Sequence, residues 1–384
     1  MTNKNNDLYD VIIAGAGPSG SSSGYFLSTK GLRVLILDKY KFPREKYCGG
    51  GVPRSVFEMF PIENRMSEFI EINEYRFTCR GKKNAGGKIP DGGVISVERS
   101  VFDDYLLSCA LNEGAVFIGG VEVVDVEPDS NQVTVIDSHG NRYMGKVLVG
   151  ASGGISRLNE KLNRIIGNNN KAKMGICGYY KFLSEPETQD LYQDTVHLDF
   201  NFINGGVAGI LPKKDYIWVG AYKSQMEKMK NIRKSVDKFI DTIGLKGEKA
   251  EFVGLPIPLY NHRREIARGR VLLVGEAAGL VNPISGEGIK PAVESGKIAA
   301  EEIEAFLRDG KSLEEYGARI HSEIGEELRI AGRFAKIAFT FPSIAYDGMI
   351  HVANDAVKIL NGELSYGDFE RRLKKKILRK VGIK

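Results

Sequence analysis

Gly15, Gly17 and Gly20 stand in the order Gly-Ala-Gly-Pro-Ser-Gly, and Asp38 follows Gly15 by 23 residues. Each glycine has its own task in that spacing. The first allows a tight turn, the second lets backbone approach a pyrophosphate, and the third lets a helix pack closely on a strand. The phosphates then rest on the N-terminus of the helix that Pro18 begins. Asp38, with Lys39 beside it, stands where a carboxylate takes ribose hydroxyls. A glycine turn alone is ordinary in a parallel sheet; turn, helix and terminal carboxylate together read as a dinucleotide site.

Val271-Leu-Leu-Val-Gly-Glu-Ala-Ala-Gly279, followed by Pro283-Ile-Ser-Gly-Glu-Gly-Ile289, is a second glycine-rich strand, turn and helix. No strand with a ribose carboxylate comes after it, so it fails as a second nucleotide site. It suits a strip that closes over the ribitol and ring of a flavin, with the helix-start amides facing the ring's electron-rich edge. That choice selects FAD as the resident dinucleotide. Between the two motifs lies Lys46-Tyr-Cys-Gly-Gly-Gly-Val52, part of a long loop whose three glycines suit a functional segment.

These residues need elements to hold them. Tyr9 to Ala14 and Leu32 to Leu37 read as buried strands with a small-residue helix to about Lys30 between them, a parallel βαβ unit with a right-handed crossover. Arg99 to Glu113 reads as an amphipathic helix with Phe102, Leu106 and Ala110 on one stripe. Strands at Ala115–Ile118, Val121–Val126, Gln132–Ile136 and Arg142–Val149 are expected to complete a β-meander. From about Lys171 to Gly220 the strands lengthen and become aromatic, at Gly178–Leu183, Val196–Phe202 and Tyr216–Ala221, which predicts a second sheet. Arg270–Val274 returns to a buried strand, a helix runs from Gly288 to about Leu307, and the pattern is helical from Leu313. The fold class is therefore α/β. A Rossmann-like FAD-binding domain is expected from 1–75, 99–155 and 265–310, an interleaved mixed β-sheet substrate domain from 76–98 and 156–264, and a C-terminal helical region with a basic tail at 311–384.

Composition bounds the rest. The 384 residues are 42% hydrophobic and 27% charged, which excludes disorder, collagen-like repeats and a disulfide miniprotein. The net charge of +5 is uneven, because the tail from Arg371 to Lys384 carries eight basic residues and no acidic one, leaving −3 on the first 370. That argues against a nucleic-acid groove spread over the fold. Cys48, Cys79, Cys109 and Cys177 form no CxxC pair and have no nearby histidine to complete a metal site, so a reducing compartment is expected. No run approaches the roughly 20 apolar residues of a membrane span, and the N-terminus lacks the apolar stretch of a signal peptide. A cytoplasmic protein that touches a membrane from outside is the expectation. Phe369, Leu373, Ile377 and Val381 make one apolar stripe on the basic tail, suited either to an anionic membrane surface or to packing on the body.

Taken together, the glycine motif with Asp38, the Cys48–Gly51 loop, Arg99 opening Arg-Ser-Val-Phe-Asp-Asp, and the strip from Val274 to Ile289 resemble the FAD-dependent geranylgeranyl reductase family, within the wider p-hydroxybenzoate hydroxylase fold. The resemblance runs from about residue 8 to 310. It implies that Asp38 holds the adenosine ribose, that Val123 lies by the adenine, and that Arg99 contacts the cofactor. It further implies that Cys48, Gly49 and Gly51 line the flavin while Glu276, Gly288 and Ile289 close over ribitol and ring. Three departures stand out. Glu276 replaces the family's usual Asp, Ser152 stands where the hydroxylases carry Asp, and Val207 and Gly209 lack the aromatics of the family's strand motif, which predicts a wider or reshaped pocket.

The implied reaction saturates C=C bonds in isoprenoid chains, those of archaeal-type membrane lipids or of prenyl diphosphates. An isolated trisubstituted alkene is unpolarised, so hydride from a reduced flavin needs a proton delivered to the other carbon. Cys48 is the candidate donor, read as a thiol in an apolar cavity beside the ring, with packing on the flavin as its alternative. Tyr216, Trp218 and Gly220 share one strand face that either lines a lipid cavity or packs the core. The stretch Phe334 to Tyr346 is read in the same two ways, as a cap on a hydrophobic tunnel or as helix packing. With no second dinucleotide unit, the reductant is NAD(P)H docking transiently or another low-potential donor. Two rival readings on the same fold are a flavin-dependent aromatic hydroxylase and a prenyl-binding carrier.

Overall fold

The computed structural model describes residues 8–61, 65–81, 83–89, 93–168, 172–200, 202–225, 231–341 and 353–380. Apolar β-branched runs with no polar alternation belong in sheets buried on both faces. Leu8–Ala14 and Val34–Asp38 obey this, pairing in parallel from Val11↔Val34 to Ala14↔Leu37 around the helix Pro18–Ser28. The first sheet continues in parallel through Arg142–Gly150 and Val271–Leu273 on one side and Val116–Gly119 on the other. Its core is drawn from Val11, Ile12, Ile13, Leu35, Ile36, Val147 and Leu148, all fully buried.

The expected four-strand meander is a three-strand one. Val123–Pro128, Val133–Asp137 and Arg142–Gly150 pair in antiparallel succession, while Val116–Gly119 lies in parallel against Val34–Asp38. Three short segments, Gly51–Pro53, Ile70–Ile72 and Val94–Ser96, form a small antiparallel sheet that the sequence pattern does not announce.

The second sheet has seven strands in the order Gly247–Leu259, Lys173–Ser184, Ile217–Lys223, Gly206–Pro212, Thr195–Phe200, Glu74–Cys79, Lys83–Lys88. Helix Ile232–Ile243 covers one face through Val236 and Phe239, packed with Tyr180, Phe182 and Ile217. Trp218 and Tyr179 sit on the other face. The helix Arg157–Ile166, in the stretch assigned to the substrate domain, buries Leu158, Leu162 and Ile166 in the first sheet's core instead.

Helix Arg99–Asn112 buries the predicted stripe, with Phe102, Leu106 and Ala110 at 0% exposure. Phe102 meets Phe57 and Phe69 at ring separations of 5.4 and 6.3 Å. Each such side chain contributes about 1.5–3 kcal/mol through burial. Towards the C-terminus, helices Glu326–Thr340 and Tyr366–Lys380 meet where Phe334 packs on Phe369 at 5.3 Å. The tail's apolar stripe therefore begins on the body. Leu373 is half-buried, the side chain of Ile377 and all of Val381 fall outside the described residues, and so do Pro342 and Tyr346.

One polar network is buried in the second sheet. Thr78 Oγ1 donates to Asp199 Oδ2 at 2.7 Å and so accepts from His197 Nε2 at 2.8 Å. Tyr192 OH then stands 3.4 Å from His197 Nδ1, and the imidazole is neutral. Asp199 also accepts from Arg80 N and Gly81 N, holding Arg80 at φ +53. Burial, with the Arg76 charge nearby, pushes the His197 pKa down to about 4. An unfolded histidine titrates near 6.5, so between those values the unfolded chain binds the extra proton. Stability should accordingly fall as pH drops through 6.5 to 4, by about 2–3 kcal/mol for this group. Urea unfolding of the parent and His197→Gln across that range checks it: equal slopes would remove His197 as the cause.

Candidate active site

The glycine turn behaves as its spacing requires. A side chain at Gly15, whose φ is +116, would put Cβ 2.3 Å from the Ala151 carbonyl oxygen, and one at Gly20 would sit 1.8 Å from Gly15 O. Gly17 caps helix Pro18–Ser28, and the nearest atom its Cβ would meet is Arg44 Nη2 at 3.9 Å, so the space before the helix N-terminus is open. Asp38 Oδ2 accepts from Ala16 N at 2.7 Å and Oδ1 from Tyr40 N at 2.8 Å. The carboxylate thus ties the turn to the end of the next strand, and each oxygen keeps lone-pair capacity for a ribose. Lys39 is exposed, with its ammonium over the Tyr40 ring. Val123 is buried in the first core at the start of its strand, opposite Asp137.

Two arginines meet one buried carboxylate behind this turn. Asp103, at 0% exposure, accepts from Arg99 Nε and Nη2 at 2.6 and 2.7 Å and from Arg44 Nη2 at 2.9 Å. Burial works against the Arg99 charge, but Asp103 and the Cys48 sulfur, both hydrogen-bonded to it, hold it firmly protonated. Its guanidinium is therefore turned to protein partners. Arg44 is different: its Nη2 faces Gly17, and its Nη1 is buried without a partner. Arg44 is the residue the sequence reading misses, since it lies in a loop with no periodicity to mark it.

The Cys48–Gly51 loop runs from this arginine pair to the second sheet. A Cβ on Gly49 would lie 3.5 Å from Trp218 Cε2 and 3.6 Å from Leu211 Cδ1, so the loop lies flat against both. Gly51 opens the short strand paired with Val94–Ser96. The Trp218 ring leans on Tyr179 at 5.3 Å, over Gly220, where a side chain would meet the Trp218 ring and Tyr179 Cβ at 2.5 Å. Tyr216 OH donates to Glu98 Oε2 at 3.2 Å. Trp218 Nε1 and Glu98 Oε1 are buried without partners. The surroundings of Cys48 differ from the apolar cavity expected. Its sulfur accepts from Gly50 N at 3.4 Å and from Arg99, and Lys213 lies in its electrostatic neighbourhood.

The closing strip stands opposite. Gly275, at φ +56, has its amide on Ser295 Oγ at 2.9 Å and opens a single helical turn to Ala278. Glu276 lies over the turn at Gly153 and Gly154, where added Cβ atoms would come within 3.9 and 3.1 Å of its side chain. In that turn Ser152 Oγ pairs with Ser156 Oγ at 2.8 Å, and Ser156 caps the following helix. Gly288 is the N-cap of helix Ile289–Asp309. Ile289 and Val293 share a core with Val52, Phe57, Val97 and Phe102, and Cys48 packs on it. One apolar cluster thus draws together the cysteine loop, the Arg99 helix and the strip. Glu287, also unforeseen, accepts from Lys290 N at 2.7 Å, and burial pushes its carboxyl up to about 7.

Other expectations fare differently. Gly209 does not widen a pocket, because a Cβ there would come within 2.8 Å of His197 O and 3.0 Å of Leu198 Cδ2. The four cysteines are free thiols, and burial pushes Cys177 up to about 12. Among the described residues no cluster suits a metal ion and no helix is long and apolar enough to cross a membrane. Phe339 lines an open cavity of about 580 Å3 with Arg80, Phe202 and Lys238, which shares no residue with the site above.

The profile of the FAD binding domain family matches residues 8–323. The chain belongs to that family. Among relatives, an uncharacterized protein of Methanosarcina barkeri is 32% identical over 79% of this chain and 76% of its own length. A menaquinone reductase of Mycobacterium tuberculosis is 28% identical, with 88% and 85% covered. A digeranylgeranylglycerophospholipid reductase of Methanococcus vannielii is 29% identical, with 81% and 80% covered. In fold, the chain resembles a geranylgeranyl bacteriochlorophyll reductase-like protein of Thermoplasma acidophilum, with a TM-score of 0.75 at 20% identity over 94% of this chain and 93% of that one. The site fits FAD on its own terms: open space before Gly17, a guanidinium there whose buried Nη1 has no partner, and a strand-end carboxylate suited to a ribose.

Proposed function

We propose that this protein is an FAD-dependent reductase that saturates C=C bonds in the isoprenoid chains of membrane lipids. The observation that carries the reading is the Cys48–Gly51 loop laid flat on Trp218 and Leu211, an aromatic and aliphatic wall beside the Cys48 thiol. The relatives named as reductases of menaquinone and of a geranylgeranyl lipid support it.

Gly15, Gly17, Pro18 and Gly20 would seat the pyrophosphate, with Arg44 donating from Nη1. Asp38 would take the ribose, with Lys39 at the rim and Val123 beside the adenine. Cys48, Gly49 and Gly51 would border the ring, and Glu276, Gly288 and Ile289 would close over it. Reduced FAD, when bound, supplies hydride to one alkene carbon. The chain must then orient the alkene, exclude water and hold a proton for the other carbon, and we assign that proton to Cys48 Sγ. Tyr216, with its hydroxyl on Glu98, and Trp218 are the proposed substrate wall. The cofactor half would comprise 1–75, 99–155 and 265–310 with helix Arg157–Ile166, and the second sheet the substrate half. The tail, 369–384, would meet the anionic membrane that holds the lipid, each nearby Lys or Arg adding about 1 kcal/mol.

Anaerobic, dithionite-reduced protein incubated with geranylgeranyl lipids in vesicles tests the reading. Mass spectrometry should show a gain of about two units per double bond, the hydrogens required by one alkene reduction. Unchanged lipid masses, or oxygen uptake coupled to a hydroxylated aromatic product, would overturn it.

A further inference from the structure

Lys213 follows directly on the strand Gly206–Pro212 and precedes an exposed lysine, so its sequence context suggests a surface cation. It is instead 2% exposed. Taking an ammonium out of water costs several kcal/mol unless hydrogen bonds and opposite charge offset it. The compensation is local. Nζ donates to the Val97 carbonyl at 2.7 Å and to Ser96 Oγ at 3.1 Å, and Ser96 Oγ in turn donates to Pro212 O at 2.6 Å.

The far side of that ammonium is the cysteine loop. Gly50, at φ +68, would carry a Cβ 2.8 Å from Lys213 Nζ and 2.3 Å from Val97 O, so only backbone fits between them. Val97 N donates to Gly50 O at 2.8 Å while Val97 O receives the lysine. A chain of contacts therefore runs from the second sheet through Lys213 and Val97 to Gly50, whose own N–H is on the Cys48 sulfur. The titratable groups around the ammonium are Glu98, Arg99 and Cys48; those around Cys48 also include Tyr179 and Cys177.

We propose that Lys213 is a positioning residue of the reaction site, a buried cation that pins the Cys48–Gly51 loop to the second sheet and keeps a positive charge beside the Cys48 sulfur. The proposal rests on the reading of that loop as part of the reductase site. Burial pushes the lysine down to about 8 against the pull of Glu98, so it keeps its proton at neutral pH. Its role is electrostatic and geometric, and no proton transfer to substrate is assigned to it.

The test is the rate of iodoacetamide alkylation at Cys48 against pH, followed by peptide mass in full-length protein with and without its FAD. Lys213→Gln keeps a donor for Val97 and loses the charge; Lys213→Arg keeps the charge. The Gln variant should move the alkylation midpoint up by about one pH unit, roughly a tenfold slowing at pH 7.5, as loss of a nearby cation requires. The Arg variant should stay within about twofold of the parent, as retained charge requires. A Gln profile that matches the parent overturns the proposal, and so do Gln and Arg profiles shifted alike. Should the Gln variant not fold, the parent profile decides alone: it should carry a second inflection near pH 8 as the lysine discharges, and a single inflection rejects the idea. Alkylation does not depend on the substrate, so unreduced lipids with a shifted profile would sink the reductase reading and leave Lys213 coupled to Cys48.

Discussion

Replacing Asp103 with Ala should lower the free energy of unfolding by about 3–5 kcal/mol and yield protein that has lost most of its yellow FAD. The carboxylate is fully buried between the guanidinium groups of Arg99 and Arg44, with three contacts of 2.6–2.9 Å. Truncation leaves two largely buried cations facing each other with no carboxylate between them. The stranded charge, more than the lost attraction, sets the size of the effect. Arg44 would swing away from Gly17, and a charge-assisted hydrogen bond of about 1.5–3 kcal/mol to the pyrophosphate would go with it. Urea unfolding and visible absorption of the purified variant report the two effects separately. A loss under about 1 kcal/mol with FAD retained would mean that Asp103 is a bystander.

Cys48→Ala should slow alkene reduction by about 10²–10⁴-fold when the protein is supplied already reduced, while FAD content stays at the parent level. An unpolarised alkene offers no carbonyl to stabilise charge, so hydride arrival at one carbon without a proton at the other builds an unsupported carbanion. The Sγ atom lies beside the Arg99 guanidinium and Gly50 N, groups that receive negative charge on sulfur once the proton has left. Cys48→Ser keeps a weaker acid in place and should fall between parent and Ala. Single-turnover lipid reduction is the measurement, and rates equal to the parent in both variants would reduce Cys48 to a packing contact.

The part of this site that sequence exposes is the part built from neighbours. Gly15, Gly20 and Asp38 act within 23 residues of one another, and steric demands at a tight turn leave few residue choices. The stripe of Phe102, Leu106 and Ala110 is legible because one helix face suffices to bury it. Arg44, Lys213 and Tyr179 are not legible in this way. Arg44 meets Asp103 across 59 positions and Lys213 meets Val97 across 116, and neither residue type differs from a solvated cation until those partners arrive. Val116–Gly119 fails for a related reason. A short apolar strand has the same composition whether it pairs with its successor or in parallel with Val34–Asp38, and only tertiary packing chooses. Gly209 illustrates the limit of subtraction: a missing aromatic predicts space, but Leu198 and the His197 carbonyl already stand against that position.

Four consecutive residues, from the end of the small sheet's strand Val94–Ser96 to the start of helix Arg99–Asn112, bear on how this chain can be re-engineered. Ser96 donates to Pro212, Val97 accepts from Lys213, Glu98 accepts from Tyr216, and Arg99 turns back to Asp103. The junction of this segment with the second sheet is therefore a stitched line, not a linker. A chimera that grafts a relative's lipid-facing sheet through 156–264 alone would cut three of those stitches and orphan a buried ammonium. Residues 96–98 and 212–216 form one exchangeable unit, and swaps of substrate preference should carry both segments together.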